Sequence, residues 1–161
     1  LKIHPQGRVP ALQLDSGETI TENTAILPYL GKRFGPWPRD PLAKTRALSL
    51  IGLFAASVHP AHAHISRPER YASDAAHFAN IQDTGRQAFH GYLKQIDGML
   101  KGRQWLSDQY SVLDPYALTF YAWGLRRELP LGDLENYRAF KDRMLARPAV
   151  ARVLIEEKVK V

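Results

Sequence analysis

The chain has 161 residues, is 45% hydrophobic and 24% charged, and carries 22 Lys and Arg against 16 Asp and Glu, a formal net charge of +6. Such proportions belong to a folded globular chain and exclude global disorder and collagen-like structure. There is no cysteine, which excludes disulfides, thiolate metal sites and a cysteine nucleophile within these residues.

The positive charge is spread along the chain. Its tightest groups are Lys32-Arg33 and Arg126-Arg127, so no basic run marks a nucleic-acid surface, and no nucleic-acid partner is expected. The longest mainly apolar stretch covers residues 47–58. A membrane-spanning helix needs roughly 20 such residues, so no membrane association is expected. The N-terminus lacks the layout of a secretory signal, and the first residue is Leu1 rather than methionine.

In chain order, Ala11-Leu12-Gln13-Leu14 alternates apolar and polar residues like a half-buried strand. Asp15-Ser16-Gly17-Glu18 is a tight-turn cluster, and Thr19-Ile20-Thr21 returns as a second short strand. Ala25, Ile26, Tyr29, Leu30 and Phe34 then recur on one helical face, which Gly35-Pro36 ends. Pro36, Pro38 and Pro41 make residues 36–41 a linker. Everything beyond it reads as helix. A long helix runs from Leu42 to about His64, with Pro60 predicting a kink or an end. A second runs from about Ala72 to Leu100 and stops at Lys101-Gly102. Asp114 to Arg127, Leu134 to Leu145, and Val150 to about Lys158 complete the set.

Ser111-Val112-Leu113-Asp114 has the spacing of a capping box with Asp in place of Glu. Ser111 is expected to accept from the Asp114 N–H, and the Asp114 carboxylate to reach back to the Ser111 N–H. Tyr110 and Pro115 are placed to form an apolar staple.

The stretches Pro5-Gln6-Gly7-Arg8-Val9-Pro10-Ala11-Leu12, Asp15-Ser16-Gly17 and Thr21-Glu22-Asn23-Thr24-Ala25-Ile26-Leu27-Pro28-Tyr29-Leu30 together resemble the glutathione S-transferase family, in particular its bacterial, beta-like members. The helical remainder is similar to that family's C-terminal domain, down to the Ser111–Asp114 cap and Arg147-Pro148-Ala149-Val150. The resemblance implies an α+β chain: the C-terminal part of a thioredoxin-like glutathione-binding domain over 1–35, a linker over 36–41, and an all-α domain of five or six helices over 42–161. It also implies that the family's first strand–helix–strand, with the thiol-activating Tyr, Ser or Cys, lies before Leu1. No catalytic residue of that kind is therefore named.

For the site, the resemblance implies a cis Val9-Pro10 bond that turns the Val9 backbone toward the cysteinyl backbone of glutathione. It implies Glu22 for the γ-glutamyl amine and position 23 for the carboxylate, where the family usually has Ser and this chain has Asn23. A helix N-terminus favours a carboxylate on physical grounds. Thr19-x-x-Glu22 also fits a capping box, so capping alone remains a reading of Glu22. His59 is a candidate for contact with the glutathione sulfur or the second substrate, or lines the cleft without chemistry. Tyr116 and Phe120 are candidates for the second-substrate pocket, although their helical spacing suits ordinary core better. His59, His62 and His64 do not share one helical face, and no metal is expected.

The resulting expectation is a cytoplasmic, homodimeric detoxification enzyme that conjugates the glutathione thiolate to electrophilic apolar substrates, with glutathione as co-substrate and no other cofactor. The alternatives are a non-catalytic binding or dimerisation module, another glutathione-dependent enzyme such as an isomerase or disulfide reductase, or, last, a basic nucleic-acid-binding protein.

Overall fold

The computed structural model describes residues 3–4, 7–35 and 37–161. Pro5, Gln6 and Pro36 of the stretches above lie outside the described residues. Two short strands, β1 (Ala11–Gln13) and β2 (Thr19–Thr21), pair antiparallel with Ala11 opposite Thr21, Leu12 opposite Ile20 and Gln13 opposite Thr19. The connecting turn closes through Leu14 N–H to Glu18 O at 2.8 Å and Gly17 N–H to Leu14 O at 2.8 Å. Gly17 has φ +87°, a conformation that favours glycine.

Helix α1 (Asn23–Phe34) follows directly and buries Ile26, Pro28 and Gly31. Helix α2 (Pro41–Leu53) starts at Asp40, whose carboxylate accepts from Ala43 N–H at 2.8 Å. Of the two outcomes expected near Pro60, a kink or an end, the helix does not end there: the helical path runs through to Ser66. It does so by one π-helical stretch, Phe54–Val58, closed by His59 N–H to Phe54 O, and continues as α3 (His59–Ser66). The widened turn falls immediately before the residue with no N–H to give, where an α-helical pattern loses a bond in any case.

The next helix starts later than the pattern suggests. Asp74 Oδ1 accepts from Ala76 N–H at 2.9 Å and forms a short 3₁₀ turn over Ala75–His77. That side-chain bond competes with helical pairing, and α4 begins only at Phe78 (Phe78–Leu100). Its buried face is Gly85, Phe89, Leu93, Ile96 and Leu100, the spacing of an amphipathic helix. Helices α5 (Leu113–Arg126), α6 (Glu135–Leu145) and α7 (Pro148–Glu156) close the bundle.

The core is aromatic. Phe54, Phe89, Phe120, Tyr137 and Phe140 have no exposure, and burying rings of this size dominates the favourable side of folding. The Tyr137 hydroxyl donates to Ala117 O at 2.7 Å, which joins α6 to α5. Asp97 on α4 accepts from Tyr137 N–H at 2.8 Å and Asn136 Nδ2 at 2.9 Å. It thereby caps a helix whose own preceding residue, Leu134, offers no side-chain acceptor.

Half of the predicted capping box is present as drawn: Ser111 N–H donates to Asp114 Oδ2 at 2.7 Å. The other half differs. Ser111 Oγ accepts from Leu113 N–H at 3.3 Å, while the Asp114 N–H pairs with the Ser111 carbonyl. Asp114 also accepts from Leu106 N–H at 3.0 Å. It is therefore a junction between the preceding loop and α5 as well as a cap. Burial pushes its carboxyl up, against the pull of these hydrogen bonds and of Arg147. Tyr110 is occupied by Arg147, whose guanidinium sits 3.5 Å over its ring, and by the edge of Trp105.

Candidate functional site

The hairpin register sets Val9-Pro10 and Glu22-Asn23 at the same open end, because Ala11 lies opposite Thr21. Val9-Pro10 is cis. Val9 is 90% exposed, and its backbone has no hydrogen-bond partner among the described residues.

Glu22 precedes α1 with φ +70° and ψ 128°, an unusual conformation for a residue with a side chain. Its carbonyl accepts from Ala25 N–H and Ile26 N–H at 3.0 and 2.9 Å. Its carboxylate caps nothing and is exposed. The capping-box reading fails because Thr19 is inside β2, opposite Gln13. The backbone thus holds a free carboxylate beside an open helix N-terminus, a place of positive electrostatic potential.

Tyr116 reaches this end from α5. It is 7% exposed, and its hydroxyl is buried with no hydrogen bond of good geometry. The hydroxyl lies by the Asn23 side chain and within the field of Glu22, and burial is the main cause that pushes it up. The ring packs edge-on against Phe54 at 5.4 Å and tilts over Phe120 at 4.8 Å. This corrects the pocket expectation for two residues. Phe120 is fully buried between Phe54, Phe89, Tyr116 and Trp123 and faces no open surface. The Tyr116 ring is core, and only its hydroxyl points toward a candidate binding position.

His59 is half-buried, with its ring edge-on to Trp123 at 4.9 Å. His62, one turn on, stacks on the same indole at 4.2 Å and tilts over Phe89 at 5.3 Å. His64 faces elsewhere and stacks on Tyr71 at 3.8 Å. Trp123 and His62 escaped the sequence reading as site residues. Their only signal was the shared helical face of His59 and His62. A cleft of about 790 Å³ between the start of α2 and the end of α4 is lined by none of Val9, Glu22, Asn23 or His59.

No family model matches the chain. Glutathione S-transferase GstA of Escherichia coli O157:H7 is 28% identical over 163 residues, which span 98% of this chain and 78% of that protein. The beta-class glutathione S-transferase of Sphingomonas chungbukensis superposes with a TM-score of 0.84 at 29% identity, over 96% of this chain and 76% of that one. A glutathione transferase homologue from Sulfitobacter, solved with bound glutathione, gives 0.87 at 27% identity over the same shares. Along nearly its whole length the chain is similar to bacterial glutathione S-transferases. The shared scaffold joins part of a thioredoxin-like unit to an all-α one.

His59 and His62 are both held neutral near pH 7. Burial, then Arg67, lowers His59. Burial and the neighbouring Arg127 lower His62 from 6.5 to about 4. Because the folded value lies below the unfolded one, the unfolded chain binds the proton more tightly. The stability due to neutral His62 is complete above pH 6.5 and is lost as pH falls toward about 4. Half-exposure screens the effect, which leaves about 1–2 kcal/mol. We expect the unfolding free energy of the His62→Gln variant to fall less than that of the parent, by this amount, between pH 7 and pH 4.5. Parallel curves would contradict the assignment.

Proposed function

We propose that the protein conjugates the thiolate of glutathione to electrophilic apolar substrates. Residues 1–35 would form the glutathione-binding part, 36–41 the linker and 42–161 the helical domain that supplies the second-substrate side. The carbon–sulfur bond forms as the leaving group departs, and the protein's task is to raise the thiolate fraction of a thiol whose free pKa is about 8.5.

One observation carries the reading. A residue held at positive φ beside a free helix N-terminus, with its carboxylate unused, is a strained backbone that no local contact explains. A zwitterionic γ-glutamyl group matches it, with the amine on Glu22 and the carboxylate on Asn23 and the α1 N–H groups. The unpartnered Val9 backbone suits strand-like pairing with the cysteinyl unit. The unsatisfied Tyr116 hydroxyl adds a donor at the same end. His59 faces the sulfur or the electrophile. Exposed Val9, Phe34, Leu42 and Leu48 support a homodimer, and the absence of a spanning helix among the described residues fits the cytoplasm as the site of a detoxifying role.

Calorimetry with glutathione on the chain, Glu22→Gln and Glu22→Ala tests this. Saturable binding that weakens about tenfold or more in both variants is expected, since the amine loses its counter-charge. No saturable binding by the folded parent overturns the proposal.

A further inference from the structure

We propose that the second substrate is an anionic aromatic electrophile, with its carboxylate or sulfonate held by Arg127 and its ring set against Trp123 beside His59. The inference rests on the reading above that His59 faces the second substrate, and it names the chemical class that this face selects.

The argument starts from what holds Arg127. Its Nε donates to His62 Nε2 at 3.4 Å, and its carbonyl accepts from Arg86 Nη1 at 2.8 Å. A half-buried guanidinium is usually steadied by a carboxylate, which also cancels its charge. Here the partner is an imidazole whose accepting nitrogen must be unprotonated, so the side chain is positioned while its charge stays uncompensated. Arg67 and Arg126 add to the positive field at His62, and Arg67 acts on His59 as well. Among the described residues no carboxylate lies within ion-pair distance of Arg67, Arg86, Arg126 or Arg127. The acids nearest in sequence, Glu69, Asp83 and Glu128, are all exposed.

An aromatic wall adjoins this charge, because His59 and His62 flank the Trp123 indole at 4.9 and 4.2 Å. A planar guanidinium recognises carboxylate or sulfonate through paired N–H donors. A flat apolar ring packs well on an indole. A ligand that combines both features restores the missing counter-charge and packs on the part of the indole that its neighbours leave uncovered.

The test compares 4-chloro-3,5-dinitrobenzoate with 4-chloro-3,5-dinitrobenzamide. In both, the thiolate of glutathione displaces chloride, so atoms and charge balance identically and only the remote group differs. The parent protein is expected to favour the benzoate in kcat/KM by about tenfold, and added salt should shrink that preference. In Arg127→Gln the benzoate-to-benzamide ratio falls about tenfold, and Arg127→Lys keeps part of it. A ratio near one in the parent, or one unmoved by both Arg127→Gln and salt, overturns the inference. Turnover of neither compound would count against the transferase reading alone. The inference is then decided by calorimetry with 3,5-dinitrobenzoate and 3,5-dinitrobenzamide: salt-sensitive preference for the anion supports it, and equal binding or none rejects it.

Discussion

Replacing Asp114 by alanine is expected to lower the unfolding free energy by about 3–5 kcal/mol, a large part of the total for a domain of this size. The side chain is fully buried and accepts from Leu106 N–H, Ser111 N–H and Ser111 Oγ. Alanine leaves both backbone donors without a partner in a place with little water, and each orphaned N–H costs about 1–3 kcal/mol. Because the bonds join the 106–111 loop to the start of α5, the loss should also loosen the segment that carries Tyr116 toward Asn23. Asp114→Asn keeps one acceptor oxygen and should recover roughly half of the loss. Urea denaturation of the three proteins measures this, and an alanine variant within about 1 kcal/mol of the parent would show that the donors find other partners.

Gly85→Leu is expected to cost about 3 kcal/mol, whereas Gly91→Ala on the same helix should stabilise by about 0.5–1 kcal/mol. A Cβ at Gly85 would meet His64 Cβ at 2.7 Å and the Ala61 carbonyl at 3.1 Å. The second of these is backbone, so α3 and α4 must move apart to admit any side chain. A Cβ at Gly91 meets nothing within 4 Å, and there only the better helix propensity of alanine acts. Thermal unfolding of both variants separates the effects. A Gly85→Leu protein as stable as its parent would mean that the helix contact is looser than the distances state.

The parts legible in the sequence are those specified by neighbours in the chain. The Asp15–Glu18 turn, the α1 face and the Ser111–Asp114 cap each rest on residues a few positions apart, and local physics suffices for them. The free carboxylate at Glu22 was readable only in part, because its spacing from Thr19 also suited a cap, and strand pairing of Thr19 decided between the two. Tyr116 and Phe120 carried a helical apolar spacing that signals burial but not which side of the burial a ligand meets. The His62–Arg127 contact joins residues far apart in the chain, and nothing near either one announces it. The π turn has no side-chain signature at all. Pro60 marked the neighbourhood, but not that the helix would pass it by a widened turn.

That widened turn acts as a torsional joint. Ahead of it, Ala47 and Ile51 pack with Leu113. Beyond it, His59 and His62 answer to Trp123. In an unbroken α-helix the azimuth of His59 would follow rigidly from that of Ile51, roughly 100° per residue. The π stretch that ends with His59 N–H on Phe54 O shifts the phase of the second half relative to the first. One rod thereby presents Ile51 to the start of α5 and His59 to its later turns, each at its own azimuth.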